Sequence, residues 1–306
     1  MEQLAERLLE GRTRALARAI TLVESGAGAA GLLRRVYAHT GRATTVGVTG
    51  FPGAGKSSLV DRLIESFRAQ GMSVGVVAVD PSSAFSGGAI LGDRVRMMRH
   101  AADEGVFIRS LATRGHLGGL ARTTGDAIDL MDAAGRDMVL IETVGVGQDE
   151  IEVASLADAV LVVLVPGMGD DIQAIKAGIL EIADLFVINK ADRQGADRLV
   201  SELRQMLSLA ENRHEHPPIL KTVATRAEGI GELVEAVTTH LARPETGQQR
   251  FERQRRRAEA RLGDLLARRL VEQTVEQGIG ADGWRKLVDQ LARRDIDPYA
   301  AVETIV

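Results

Sequence analysis

The sequence predicts an α/β fold, with a doubly wound, mostly parallel sheet and helical extensions at the N- and C-terminal ends. Six short runs rich in valine, isoleucine and leucine are nearly continuous in apolar residues, as strands buried on both faces of a parallel sheet are. The runs are Thr45–Thr49, Val74–Val79, Met138–Thr143, Val160–Val165, Leu185–Ile188 and Ile219–Val223. Segments of helical length, such as Ser57–Ala69 and Asp171–Ile182, separate most of the runs. Right-handed crossovers would place these helices on both faces of the sheet.

The composition is that of an ordinary globular protein. Of 306 residues, 45% are hydrophobic and 26% are charged, and the net charge of −4 gives no reason to expect a nucleic acid partner. The absence of cysteine excludes disulfides, thiolate metal sites and cysteine nucleophiles. No apolar run approaches ~18 residues, and the charged N-terminus lacks the apolar stretch of a signal peptide. We therefore expect a cytoplasmic protein without a membrane partner.

Three zones divide the chain. Residues 1–42 have leucines at helical spacing and form a predicted N-terminal helical extension. Residues 43–245 hold the alternating strands and helices. Residues 246–306 begin with a charge-dense amphipathic helix and form a predicted C-terminal helical arm. The apolar stripe of that helix consists of Leu262, Leu265, Leu266 and Leu270.

Residues 50–57 read GFPGAGKS and match the pattern G-x-x-x-x-G-K-[ST] in full. The match lies between a predicted strand and a predicted helix, which is the setting of phosphate-binding loops. Glycines let backbone N–H groups converge on phosphate oxygens, and the helix N-terminus adds a partial positive charge. A glycine-rich turn that only caps a helix is the alternative. The residues predicted to bind the phosphates of a nucleotide in this loop are Gly50, Gly53, Ala54, Gly55, Lys56, Ser57 and Ser58.

Four residues are candidates for holding Mg²⁺. The hydroxyl of Ser57 follows the lysine of the phosphate loop. Asp80 and Glu142 each lie at the end of a predicted strand, and Asp93 follows a glycine-rich stretch. Ligands of such folds bind at the carboxyl ends of the strands. The alternative for Asp80 is a helix N-cap or an Asx-turn, and for Asp93 it is a carboxylate at a helix start. For Glu142 the alternative is a buried and satisfied carboxylate.

The predicted catalytic residues are Lys56, Glu142 and Gly145. Lys56 is expected to reach the β- and γ-phosphates. Glu142 opens an acid-x-x-Gly pattern, in which the N–H of Gly145 can sense the γ-phosphate and move after hydrolysis. In small GTPases a glutamine directly after this glycine positions the attacking water, whereas this chain has Val146 there and its nearest glutamine is Gln148. We therefore expect slow intrinsic hydrolysis.

Residues 189–192 read NKAD at the end of a predicted strand and form a predicted guanine reader. The carboxylate of Asp192 can accept hydrogen bonds from N1–H and the exocyclic amine of guanine, and adenine lacks both donors in that arrangement. A carboxylate left unpaired would reject adenine, because a desolvated polar group without a partner is costly. The Lys190 stem can lie along the base, Asn189 can bridge loops, and the backbone of Ala224 is a further candidate for the base edge. A polar turn after a strand is the alternative.

These motifs, in this order, resemble the methylmalonyl-CoA mutase-associated GTPases of the MeaB/ArgK type, within the metallochaperone-type P-loop GTPases. The resemblance rests on the stretches VTGFPGAGKSS, AVDPSS, GDRVRM, ETVGVGQDE, VPGMGDDIQAIKAG and NKAD, and it extends to the DPYAA ending. The phosphate loop alone is shared by many unrelated proteins, whereas GDDIQAIKAG and ETVGVGQ are far more specific.

The resemblance implies a GTPase that uses GTP/GDP and Mg²⁺, with Ser57, Asp80, Asp93 and Glu142 around the metal. It implies a homodimer joined through the C-terminal arm. It also implies a chaperone that couples GTP hydrolysis to cofactor loading, protection or reactivation of an adenosylcobalamin-dependent acyl-CoA mutase. An additional switch that communicates with the mutase would include Asp171, Gln173 and Lys176, for which exposed helix positions are the alternative reading.

Two other functions remain open on the sequence alone. A nickel-insertion GTPase would need a metal-binding element, and this chain has no cysteine and six scattered histidines. A transport-system protein kinase would use the phosphate loop to modify a protein acceptor, but a guanine reader argues against an ATP-dependent kinase.

Overall fold

The computed structural model describes residues 1–25, 29–80, 97–112, 119–143, 156–167, 181–209, 216–243 and 247–305. The chain divides into two compact units, Met1–Pro244 and Glu245–Val306. The three-zone division made from the sequence stays a prediction. Several predicted site residues lie outside the described residues, namely Asp93, Gly145, Val146, Gln148, Asp171, Gln173 and Lys176.

One sheet runs through the first unit, and in the described ranges it has seven parallel strands in the order β3-β2-β4-β1-β5-β6-β7. The strands are β1 (Thr44–Gly50), β2 (Val74–Asp80), β3 (Val106–Ala112), β4 (Met138–Glu142), β5 (Ala159–Leu164), β6 (Leu185–Ile188) and β7 (Ile219–Lys221). Each of the six predicted runs overlaps one of these strands. The predicted fold class is confirmed.

Helices cover both faces of the sheet. One face carries α1 (Glu2–Leu9), α2 (Thr13–Ser25), α3 (Ala29–Val36), α5 (Gly119–Ala133) and α6 (Ala196–Ser208). The other face carries α4 (Lys56–Ala69) and α7 (Ile230–Leu241). Successive residues of β5 alternate between the two apolar clusters: Val162 belongs to the cluster that includes residues of α2 and α6, and Val163 to the one that includes residues of α4 and α7. This double burial explains why the strand runs are continuously apolar.

The N-terminal helices are part of the first core. Leu8, Leu16 and Ile20 are fully buried, in the same apolar cluster as Phe186 of β6. Their burial follows from the helical spacing of leucine and isoleucine that the sequence displays.

The strand β3 was not predicted from the sequence. It lies at the edge of the sheet and pairs with β2 alone, and its segment VFIRSLA is interrupted by Arg109 and Ser110. Arg109 reaches across to α2, where its guanidinium contacts Glu24 and donates to the hydroxyl of Thr21 at 3.1 Å. An edge strand has fewer positions buried on both sides, so the apolar pattern of a central strand does not apply to it.

The second unit is helical. It contains α8 (Gly247–Glu272), a π-helical segment (Gln273–Ile279), α9 (Gly280–Arg293) and α10 (Pro298–Ile305). The four leucines of the α8 stripe are between 43% and 67% exposed. Among the helices of the described ranges, none combines the length and the apolar composition that crossing a bilayer requires.

Candidate nucleotide-binding site

The phosphate loop joins the end of β1 to the start of α4, in the middle of the sheet. Gly50 ends the strand and Gly55 caps the helix, with φ angles of 135° and 88° that favour glycine. The buried ammonium of Lys56 folds back over the loop and donates to the carbonyl of Gly50 at 2.7 Å and to that of Phe51 at 3.1 Å. A positive charge and a helix N-terminus therefore meet at one point, where both favour an anion.

Two of the loop glycines are also required by their neighbours. A Cβ on Gly50 would overlap the backbone carbonyl of Val163 in β5. A Cβ on Gly55 would approach the side-chain nitrogen of Asn189 to 2.5 Å. The close packing of this loop against β5 and against the end of β6 explains the glycine spacing of the motif.

An oxygen pair lies beside the loop. The hydroxyl of Ser57 donates to Oε1 of Glu142 at 2.6 Å, and both side chains are buried. Glu142 ends β4, in register with Ala78 of β2, so that Asp80 lies two residues further along at the same carboxyl edge of the sheet. The strand order therefore places Ser57 and two of the predicted acids, Glu142 and Asp80, at one edge, which the sequence could only suggest.

Asn189 joins the two halves of the site. Its side chain is 2% exposed, and its Nδ2 donates to the carbonyl of Ala54 in the phosphate loop at 2.9 Å. Its Oδ1 accepts from the hydroxyl of Thr222 at 3.2 Å and from the amide of Ala224 at 3.1 Å. Two donors and one acceptor thus surround the amide, and this determines which of its ends is oxygen and which is nitrogen.

The other two polar residues of the NKAD motif are more open to solvent. Lys190 has a φ of 55° and donates from Nζ to the carbonyl of Gly53 at 2.7 Å, so its stem spans from the base motif to the phosphate loop. Asp192 is 40% exposed in its side chain, and its Oδ2 lies 3.7 Å from a guanidinium nitrogen of Arg226. The carboxylate is therefore accessible from solvent, as an acceptor of base hydrogen bonds must be.

Two concave pockets lie elsewhere in the first unit. A pocket of about 410 Å³ is bounded by Asp184 and Pro218, and another of about 450 Å³ by Arg42 and Asp137. These residues precede β6, β7, β1 and β4, so both pockets lie at the amino ends of strands, opposite the phosphate loop. Neither pocket is the nucleotide site. Within the described ranges, no group of three or more histidine, aspartate or glutamate side chains is arranged to hold a metal ion.

Comparison with known proteins identifies the family of the chain. A family profile described as "Methylmalonyl Co-A mutase-associated GTPase MeaB" matches residues 16–279. The chain belongs to the MeaB family. A Pyrococcus abyssi relative, provisionally named a GTPase, is 47% identical over 311 residues, covering 100% of this chain and 96% of the relative. The mitochondrial methylmalonic aciduria type A homolog of Mus musculus is 42% identical over 253 residues, covering 76% of this chain and 61% of that protein.

A solved structure has the same fold. It is described as a LAO/AO transport system kinase and superposes with a TM-score of 0.70 at 27% identity, over 99% of this chain and 95% of that one. The suspected family is therefore confirmed, and this MeaB-family protein is a P-loop GTPase, an enzyme that binds guanine nucleotides and hydrolyses GTP.

In this MeaB-family GTPase, the structure brings most of the described site residues together. Ser57 contacts Glu142, and the phosphate loop contacts Asn189 through Ala54 and Lys190 through Gly53. Asn189 also contacts Ala224, and Lys56 folds back onto Gly50 and Phe51 of its own loop. Ser58 lies in the first turn of α4.

Sequence reasoning missed Arg62. Its Nε donates to the carbonyl of Ala224 at 3.0 Å, and nothing in the motif pattern marks it, because the contact spans 162 residues.

Proposed function

We propose that this GTPase binds GTP together with Mg²⁺ and acts as a chaperone for an adenosylcobalamin-dependent acyl-CoA mutase of the methylmalonyl-CoA mutase type. In that role, GTP binding and hydrolysis would be coupled to cofactor loading and to protection or reactivation of the mutase. The observation that carries the nucleotide part is the position of Asn189, whose buried amide ties Ala54 of the phosphate loop to Ala224. Phosphate binding and base recognition would then both depend on the side chain of Asn189.

The oxygen pair beside the loop fits Mg²⁺. Hydroxyl and carboxylate oxygens are the ligands that this ion prefers, and the Ser57 hydroxyl and the Glu142 carboxylate lie within 2.6 Å of each other. We propose that Ser57 and Glu142 hold the ion, with Asp80 and Asp93 near it. Bound Mg²⁺ would neutralise charge on the β- and γ-phosphates of GTP.

The base motif accounts for guanine selectivity. The partly exposed carboxylate of Asp192 offers two acceptors for the N1–H and amine of guanine, and Lys190 spans from the same motif to the phosphate loop. Lys56 would neutralise phosphate charge from above the loop. We propose Lys56, Glu142 and Gly145 as the catalytic residues. Because Val146 replaces the water-positioning glutamine, slow hydrolysis without a partner stays our prediction.

The partner proposal is supported by the names of the related proteins. The family description names a mutase-associated GTPase, and the mouse relative is named for methylmalonic aciduria. Asp171, Gln173 and Lys176 are our candidates for the switch that contacts the mutase. The cytoplasmic location expected from the sequence stays a prediction.

Dimer formation is supported by the exposed apolar stripe of α8. The stripe is exposed to solvent and consists of Leu262, Leu265, Leu266 and Leu270. Exposed apolar stripes of this kind are typical of surfaces that bind a partner. We propose that a second copy of this chain covers it. Light scattering after gel filtration should give twice the mass of 32.8 kDa for the wild type. Leu266→Glu should give the monomer mass, and a monomeric wild type would contradict the proposal.

The nucleotide site is tested by calorimetry with GDP and ADP in the presence and absence of Mg²⁺. We expect a preference for GDP over ADP of at least about 100-fold, and loss of binding in Lys56→Ala. Ser57→Ala should lose the Mg²⁺ dependence, whereas Ser208→Ala, an exposed serine at the end of α6, should behave as wild type. Equal affinity for GDP and ADP would overturn the site assignment.

The chaperone role is tested by the GTP hydrolysis rate with and without an acyl-CoA mutase that co-purifies with the protein. We expect the mutase to raise the rate at least about tenfold. Gln173→Ala and Lys176→Ala should reduce this stimulation and leave the basal rate unchanged. If the isolated protein hydrolyses GTP as fast as the complex does, the proposed coupling is wrong.

A further inference from the structure

The segment Val223–Glu228, called the base loop below, is shaped by its own backbone. The amide of Val223 donates to the carbonyl of Glu228 at 3.0 Å, and the amide of Glu228 donates back at 3.3 Å. The loop turns through the short 3₁₀-helix Ala224–Arg226, and Ala227 has a φ of 57°. These internal bonds fix the shape of the loop, whereas its position relative to the rest of the site depends on contacts from other segments.

Two side chains grip the base loop from opposite directions. Asn189 accepts from the amide of Ala224, as described above. Arg62 holds the carbonyl side: its Nε donates to the oxygen of Ala224 at 3.0 Å, and its Nη2 donates to that of Thr225 at 3.4 Å. The planar guanidinium is suited to this task because its donors form a rigid fork.

The conformation of Arg62 is itself constrained. Its Nη1 lies 2.9 Å from Glu65, one turn later on α4, and its side chain is 24% exposed. The hydrogen bond from Arg62 is the main cause that lowers the pKa of Glu65 below its ordinary value. Arg99 also contacts Glu65 at 3.3 Å, and its Nε donates to Asp61 at 2.7 Å. Acidic residues of α4, together with Arg99 from another segment, therefore form a charged network around the guanidinium of Arg62.

The same helix carries the phosphate ligands. Lys56 and Ser57 form the first residues of α4, and Arg62 follows within the next two turns. A regular helix is rigid over this distance, so Arg62 keeps a fixed position relative to Lys56 and Ser57. The helix that begins at the phosphate loop therefore also contacts the base loop.

We propose that Arg62 is a positioning residue for guanine recognition, which acts by holding the carbonyls of the base loop from the phosphate-loop helix. In this role Arg62 acts through the base loop rather than by binding the nucleotide. The inference rests on the proposed nucleotide site, and it means that guanine recognition also depends on a residue outside the NKAD motif.

The test compares Arg62→Ala, Arg62→Lys and a matched control, Arg198→Ala, which removes an arginine ion-paired to Glu202 on the exposed side of α6. Calorimetry with Mg²⁺ measures the dissociation constants of GDP, ADP and inorganic pyrophosphate. Loss of a charge-assisted contact should weaken GDP binding about tenfold in Arg62→Ala, while pyrophosphate binding changes less than about twofold. Arg62→Lys should recover only part of the loss, because lysine keeps the charge next to Glu65 but cannot span two carbonyls. The control should match the wild type.

Hydrogen exchange provides a second measurement in the nucleotide-free protein. Amides 223–228 should exchange faster in Arg62→Ala than in Arg198→Ala, with unchanged exchange in β1. Unchanged GDP affinity, a parallel loss of pyrophosphate affinity, or full recovery by Arg62→Lys would each overturn the proposal. A wild type without preference for GDP over ADP would instead overturn the proposed nucleotide site.

Discussion

Removing the side chain of Asn189 tests the connection between the two halves of the nucleotide site. In Asn189→Ala, three hydrogen bonds are lost together: those with the carbonyl of Ala54, the hydroxyl of Thr222 and the amide of Ala224. Each contributes about 1 kcal/mol net, and the partners that remain are buried, so we expect a loss of about 3 kcal/mol in the free energy of unfolding.

A second variant removes one of these three hydrogen bonds by itself. Thr222→Val keeps the shape of the buried side chain and removes only the hydrogen bond to Asn189, so we expect a loss of about 1 kcal/mol. The double variant should lose less free energy of unfolding than the sum of the two single-variant losses, because both substitutions remove the same hydrogen bond between Asn189 and Thr222. Gln205→Ala, at an exposed amide on α6, is the control and should change the free energy by less than about 0.5 kcal/mol.

Urea unfolding measures these free energies, and thermal unfolding provides a check. At about 2–4 °C per kcal/mol for a unit of this size, Asn189→Ala should lower the melting temperature by about 6–12 °C. GDP affinity should fall as well, since both loops lose their common support. If Asn189→Ala and Gln205→Ala unfold at the same urea concentration, the reasoning from the three contacts is refuted.

Three further predictions concern the loop, the base and the pH dependence. Gly50→Ala should lower the free energy of unfolding in urea by at least about 2 kcal/mol, because the added Cβ would overlap the backbone of β5. Gly53→Ala should lower it by only about 1 kcal/mol, because Gly53 has a φ of 76° but open space around it. Equal losses in the two variants would contradict this reasoning. Asp192→Asn should weaken GDP binding about 100-fold and shift preference toward xanthosine diphosphate, which calorimetry can measure; undiminished GDP binding would be incompatible with the base reading. A hydrogen bond from Arg68 and a smaller contribution from the amide of Gly105 lower the pKa of Asp103 below its ordinary 3.8. The ionised carboxylate therefore stabilises the folded protein above about pH 4, and this stabilisation is lost as the pH falls through the folded-state pKa. Asp103→Asn should therefore cost about 0.5 kcal/mol at pH 7 and less at pH 3, and a pH-independent difference in urea unfolding would count against it.

Much of the fold follows from patterns that are local in the chain. Continuous apolar runs such as Val160–Val165 can only be buried on both faces, which predicts a central parallel strand and helices on either side. The strand β3 escaped this reasoning, because Arg109 and Ser110 are tolerated at a sheet edge that no local pattern reveals.

The sequence by itself determined the phosphate loop and the base motif, because each is a short run of residues whose chemistry depends on its own spacing. Only the tertiary structure decided how they are joined. The pairing of Ser57 with Glu142 depends on β4 lying beside β1, and the grip of Arg62 on Ala224 depends on α4 lying beside the end of β7. Such contacts join residues that are 85 and 162 positions apart, and their partners are selected by strand order and helix packing rather than by any periodicity along the chain.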